Sequence, residues 1–132
     1  MSEEFKLVVI SPEKSFFSKD TVTEVVIPGY EGEMGILKDH ISLISFLKPG
    51  IIKVYSKDSE ENFYVDDGIV EFKDNSLSIL TSSIFNVKDK DKNFIDLSIS
   101  EAEKELSKGD LEDQKRFLIN NKIDVLKSLS LN

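Results

Sequence analysis

The chain has 132 residues, 39% of them hydrophobic, with no cysteine and a formal net charge of −8. That length allows one domain, or one domain with a small appendage. The missing cysteine excludes disulfides, thiolate metal sites and cysteine nucleophiles. Residues 1–85 hold 8 Lys and no Arg against 15 Asp/Glu, a net of −7, while residues 86–132 hold 9 Lys/Arg against 10 Asp/Glu, a net of −1. An acidic first part of this kind repels nucleic-acid phosphates and anionic lipid surfaces, so neither is expected as a partner.

In chain order, "MSEEFKLVVI" sets acids where a secretory signal needs bases. No apolar run approaches the roughly 20 residues of a membrane span. The expectation is a soluble cytoplasmic protein with no direct membrane insertion. The segments 5–10, 21–27, 41–47, 50–56, 62–66, 68–72 and 76–80 then read as short strands, rich in β-branched and aromatic residues. Alternation puts Val22, Glu24 and Val26 on one side, and Leu77 and Ile79 around Ser78. Turn signals such as "IPGYEG", "KPG", "DDG" and "KDNS" separate the strands. Short strands at this spacing predict an antiparallel sandwich or barrel.

After Phe85 the texture changes. The alternating charges of "NVKDKDKN" (86–93) read as a solvated linker. Ser98 and Glu101 have the spacing of a capping box for a first helix of about ten residues. Gly109 offers a left-handed stop, and Asp110 can cap a second helix over 111–129. Leu111, Leu118, Val125, Leu126 and Leu129 predict its apolar stripe, interrupted by Lys115 and Lys122. The expectation is a loosely docked two-helix antiparallel hairpin. Two domains follow, residues 1–87 and 88–132.

Little in this pass carries chemistry. His40 is the only histidine, so there is no two-histidine metal site, and its plainer reading is a turn residue that orders a corner. Glu31 and Glu33 around Gly32 lack the spacing of a calcium loop and read as solvated turn acids. The glycines of "PGYEGEMG" match no phosphate-binding fingerprint. Asp66 and Asp67 before Gly68 read as a hairpin turn. Catalytic, metal-ligating and cofactor-binding residues are therefore assigned nowhere.

The strings "VVISPEKSFFS", "VVIPGYEGEMGILKDHISLISFLKPGIIKV" and "FYVDDGIVEFKDNSLSIL" occur in that order. The set resembles the epsilon subunit family of F-type ATP synthases, equivalent to the mitochondrial delta subunit, over roughly residues 5–85. The resemblance implies a sandwich of about ten short, mainly antiparallel strands followed by the helical hairpin. It implies a non-catalytic central-stalk subunit, peripheral on the cytoplasmic face of the bacterial plasma membrane. Such a subunit couples c-ring rotation to ATP synthesis through gamma, with transient alpha/beta contacts. Glu33 and His40 match positions near the c-ring loops. The C-terminal helices, here with Lys115, Arg116 and Lys122, restrain ATP hydrolysis in many members. The competing class is a free-standing β-sandwich binding or adaptor module.

Two departures stand out. Where the family has Gly-Gly after the "FxV" strand, Asp67 precedes Gly68, and Asp is expected to take the left-handed turn position. Nucleotide-binding members carry Ile/Leu-Asp-x-x-Arg-Ala at the first helix. Here Ile95 and Asp96 are followed by Ile99 and Ser100, so no ATP binding is expected.

Overall fold

The computed structural model describes residues 3–12 and 15–130. Nine strands occur among them: β1 (Phe5–Ile10), β2 (Ser15–Gly29), β3 (Gly32–Leu37), β4 (Leu43–Leu47), β5 (Gly50–Ser56), β6 (Ser59–Val65), β7 (Gly68–Lys73), β8 (Ser76–Thr81) and β9 (Ile84–Asn86). The ladder runs β1-β8-β7-β4-β2-β5-β6-β9, with β3 added to β2 and β1 also paired to β2. Only β1–β8 is parallel. The first half of the long β2 pairs with β1 and the second half with β3 and β5. Counted as two strands, its halves bring the total to the expected ten.

A register shift between Val22 and Glu24 marks the bend. It reverses the alternation, so Val22, Val25 and Ile27 are buried, correcting the expected grouping of Val22 with Val26. One extra residue in a strand turns every later side chain to the other face. Leu7, Val9, Leu47, Ile52, Val54, Phe63, Val70, Phe72, Leu77 and Ile79 complete the inner core with them.

The glycine-rich stretch read only as turns contains an edge strand, β3. Its inward apolar residues are only Met34 and Ile36, alternating with the outward Glu33, Gly35 and exposed Leu37, and the two glycines hide the period-two signal. Asp66 and Asp67 make no hairpin turn, because β6 pairs with β5 and β9 while β7 pairs with β4 and β8. They carry the chain from one layer to the other. Asp67 has no left-handed backbone; Asp39, Asp74 and Asn75 do. Gly68 is required for a different reason: a Cβ there would sit 2.4 Å from the Leu80 carbonyl oxygen and 3.2 Å from Thr81 Cα. Backbone atoms cannot step aside cheaply. Gly68→Ala is expected to lower stability by about 1–3 kcal/mol, read from the denaturant midpoint; an unchanged midpoint would refute the close approach.

The charge run after Phe85 is not all linker. Asn86 accepts the Lys88 N–H at 2.9 Å and starts a 3-10 turn, Val87–Asp89. Asp91 then caps α1 (Lys92–Leu106), accepting the Phe94 N–H at 2.9 Å. The helix is 15 residues long, longer than expected, and Ser98 lies inside it, donating back to the Phe94 carbonyl at 3.0 Å. A capping box at Ser98 is thus corrected: an acid about two turns earlier satisfies the first free donors. Ser107, in helical geometry, ends α1. Gly109 has no left-handed backbone, and α2 (Asp113–Ser130) begins after Asp110.

The buried line of α2 is Ile119, Ile123 and Leu126, with Leu111, Val125 and Leu129 partly buried beside it. That spacing of four and three keeps one helix face toward α1, where Ile95, Ile99 and Ala102 meet it. Lys115 and Lys122 flank this seam and do not break it. Tyr64 of β6 explains how the hairpin meets the sheet. Phe63 and Val65 point into the sandwich, whereas Tyr64 points outward and is buried with Ile95, Ile99 and Leu126. It stacks on Phe85 at 5.0 Å, and Phe85 meets Phe94 of α1 edge-on at 5.3 Å.

Candidate partner-binding surface

Strand alternation buries one side of β1, β8, β7 and β4 and turns the other outward. Cross-strand register then aligns the outward residues: Phe46 opposite Ile69, Ile69 opposite Leu80, and Leu80 opposite Ile10. These four are apolar, yet Phe46 is 59%, Leu80 51%, Ile69 43% and Ile10 39% exposed. Ile44, two residues from Phe46 on the same face, is 71% exposed. Further along the sheet the outward positions turn polar, with Glu71 opposite Ser78 and Lys73 opposite Ser76. A concavity of about 550 Å³ lies over the apolar row, bounded by Pro12, Tyr30, Phe46, Ile69 and Leu80. A contiguous apolar patch on a strongly charged chain marks an interaction site.

Sequence reading missed this surface. Each strand alone shows an unremarkable alternation with one extra outward apolar residue. Only the register joins those residues into a row.

Glu33 and His40 do not form a single corner. Glu33 faces solvent opposite Pro28, beside a groove of about 390 Å³ that also touches Lys48 and Asn121 of α2. His40 lies beyond the other end of β3, after roughly 13 Å of extended strand. Its backbone N–H donates to the Leu37 carbonyl at 3.1 Å. Its Nδ1 lies 2.8 Å from the Ile41 carbonyl oxygen, a contact that needs the proton on Nδ1. The ring meets Phe72 edge-on at 5.9 Å. Beside it, the Asp39 N–H donates to Asn75 Oδ1 at 2.7 Å, and Asn75 Nδ2 returns a bond to Asp39 Oδ1 at 3.0 Å. This pair ties the β3–β4 turn to the β7–β8 turn. The left-handed Asp-Asn dipeptide in "KDNS" was its one sequence signal.

Lys115 and Lys122 both border a cavity of about 390 Å³ between hairpin and sandwich; Arg116 does not. Lys122 Nζ lies 3.3 Å from Asp66 Oδ1, and Lys115 Nζ lies 3.4 Å from Glu105 Oε2. The Tyr64 hydroxyl donates to the same Asp66 oxygen at 2.8 Å. Burial, then the Asp66 charge, pushes the Tyr64 phenol far above its ordinary value, so it remains a donor. Sheet, crossover and α2 thus share one polar contact at the edge of the apolar dock.

Ile99, at the position where nucleotide-binding relatives of the resembled type carry arginine, is packed with Tyr64 and Leu126. Asp96 is a clasp between the helices: it accepts Lys92 Nζ at 2.9 Å and the Ser130 hydroxyl at 2.7 Å. The Lys92 bond foremost, then the Ser130 bond, holds the Asp96 carboxyl below its usual range. A depressed folded pKa contributes stability above the unfolded value and loses it as pH falls through the folded one. The clasp is therefore expected to open only in acid, below the ordinary carboxylate midpoint. An NMR titration of the Asp96 carboxyl checks this; a midpoint at or above the ordinary value would exclude the clasp.

Comparison with known proteins places this geometry. The family description "ATP synthase, Delta/Epsilon chain, beta-sandwich domain" matches residues 4–87. The chain is 63% identical over 130 residues to the ATP synthase epsilon chain of Pelagibacter ubique, covering 98% of this chain and 100% of that one. Among solved structures, a chain of the Euglena gracilis mitochondrial ATP synthase superposes with a TM-score of 0.77 at 19% identity, covering 99% of this chain and 82% of that one. A chain of the Tetrahymena thermophila mitochondrial ATP synthase central stalk and c-ring gives 0.67 at 14%, covering 98% of each. At those identities the two structures share the fold.

Proposed function

The chain belongs to the ATP synthase delta/epsilon family, and we propose that it works as the epsilon-type, non-catalytic subunit of the rotor. In this reading it transmits c-ring rotation to the catalytic head through gamma. The observation that carries it is the exposed row Phe46–Ile69–Leu80–Ile10, which we assign to the gamma subunit. Burying an apolar row of this kind supplies the favourable term of association, at about 25 cal/mol per Å² before the costs of binding.

The remaining assignments follow the same reading. Residues 1–87 form the coupling unit and 88–132 the regulatory one. Glu33 and His40, at the two ends of β3, contact the c-ring loops. Lys115, Arg116 and Lys122 belong to the helix that meets alpha and beta transiently when hydrolysis is restrained. No helix among the described residues is long and apolar enough to cross a membrane. The chain would then sit peripherally on the complex at the cytoplasmic face of the bacterial plasma membrane.

Co-purification with the cognate gamma subunit tests the proposal. Wild type is expected to be retained. Leu80→Lys, half exposed and off the core, is expected to weaken capture tenfold or more, as a central interface residue costing about 2 kcal/mol would. Equal capture of both chains would remove gamma from this face.

A further inference from the structure

The sandwich is open along one side. β3 pairs only with β2, and β4, paired to β7 along its whole length, meets β2 only where Leu47 lies opposite Gly29. Between these two edges runs a slit of about 300 Å³, bordered by Tyr30, Gly32, Met34, Ile44 and Phe46. Among the described residues, no backbone bond crosses it from Ile44. A strand edge of this sort presents unpaired N–H and C=O groups and is ordinarily blunted by charge, proline, shortness or cover. β9 is only three residues long, and β3 carries Glu33 and two glycines. β4, Leu43-Ile44-Ser45-Phe46-Leu47, has no charge, proline or glycine, in a chain that is 32% charged. It is the undefended edge.

We infer that β4 receives an extended polypeptide segment of a partner, which adds to the sheet as a further strand beside it. Unpaired backbone groups select an extended chain, and Ile44 and Phe46, turned to the same face, select apolar side chains at alternate positions. Charge sets the rest of the chemistry. Among the described residues that border the slit, Glu31 is the only charged one, so the segment is basic at its ends. A second copy of this chain is a poorer occupant, since each copy brings a net charge of −8. The inference goes beyond the seat for gamma: the two share Phe46, but that seat runs over Ile69, Leu80 and Ile10 on the sheet face, whereas the added strand lies along the opposite edge of β4.

The test uses the full isotope-labelled chain and a capped seven-residue peptide of alternating valine and threonine with a lysine at each end. Saturable NMR shifts confined to residues 32–37 and 43–47 are expected, with amide exchange in 43–47 slowed at least tenfold. A peptide N-methylated at alternate residues keeps its side chains but loses one row of donors, and should bind at least tenfold more weakly. Ile44→Lys should weaken the unmodified peptide similarly with unchanged circular dichroism, whereas Leu80→Lys should leave it unchanged. Three outcomes overturn the inference: no saturable binding at millimolar peptide, equal binding of the methylated peptide, or slowed exchange caused by a concentration-dependent dimer without peptide. None of them bears on capture of gamma, which Leu80→Lys reports separately.

Discussion

Leu126→Ala is expected to release the helical hairpin from the sandwich while the sandwich stays folded. Leu126 is fully buried and is the α2 residue that meets Tyr64, Ile95 and Ile99 together. Removing a buried leucine side chain to the β-carbon costs about 2–5 kcal/mol, equivalent to roughly 30-fold or more in an equilibrium constant. The polar contacts that remain are weak by comparison. Lys122–Asp66, the ion pair between hairpin and sandwich, is partly exposed, and exposed pairs contribute about 0–1 kcal/mol. Hydrogen exchange should therefore accelerate through α1 and α2 and remain slow in β1, β7 and β8. Equal acceleration in both parts would show one cooperative unit and defeat the two-part division.

The second large effect concerns the chain ending at Val87. It is expected to fold and to retain gamma within about threefold, because distant sites without shared partners contribute independently. The inner core of the sandwich contains no residue beyond Ile84, so removing the helices opens no inner cavity. What changes is the outer face of β5, β6 and β9, where Ile51, Tyr64 and Phe85 lose their cover. The truncated chain should accordingly bind a hydrophobic dye more strongly than the full chain and should self-associate at lower concentration. In membranes, ATP synthesis should persist while restraint of hydrolysis is lost. A folded truncation that no longer captures gamma would move the interface to the hairpin.

Much of this architecture was legible from the residues, for local reasons. Runs of β-branched and aromatic residues between turn signals marked β1, β5, β7 and β8, and the spaced string from Pro28 to Gly50 carried the family resemblance that the comparisons bear out. The change of texture after Phe85 separated strands from helices. Where readings failed, the deciding partner was distant in sequence or the local rule had two solutions. Asp91 and Ser98 both offer a cap, and only the actual helix start chose between them.

What the sequence by itself determined is the strand or helix class of most segments, because φ/ψ preference and side-chain period are properties of neighbours in the chain. The tertiary structure decided which side of each strand is covered. Tyr64 is buried because two helices return over β6, and Ile69 is exposed because none of the described residues returns over β7. It also decided the register that lines up Phe46, Ile69, Leu80 and Ile10, and the bend in β2 that leaves β3 and β4 unpaired across the slit. Register and cover depend on contacts between residues tens of positions apart, and no local pattern encodes those distances.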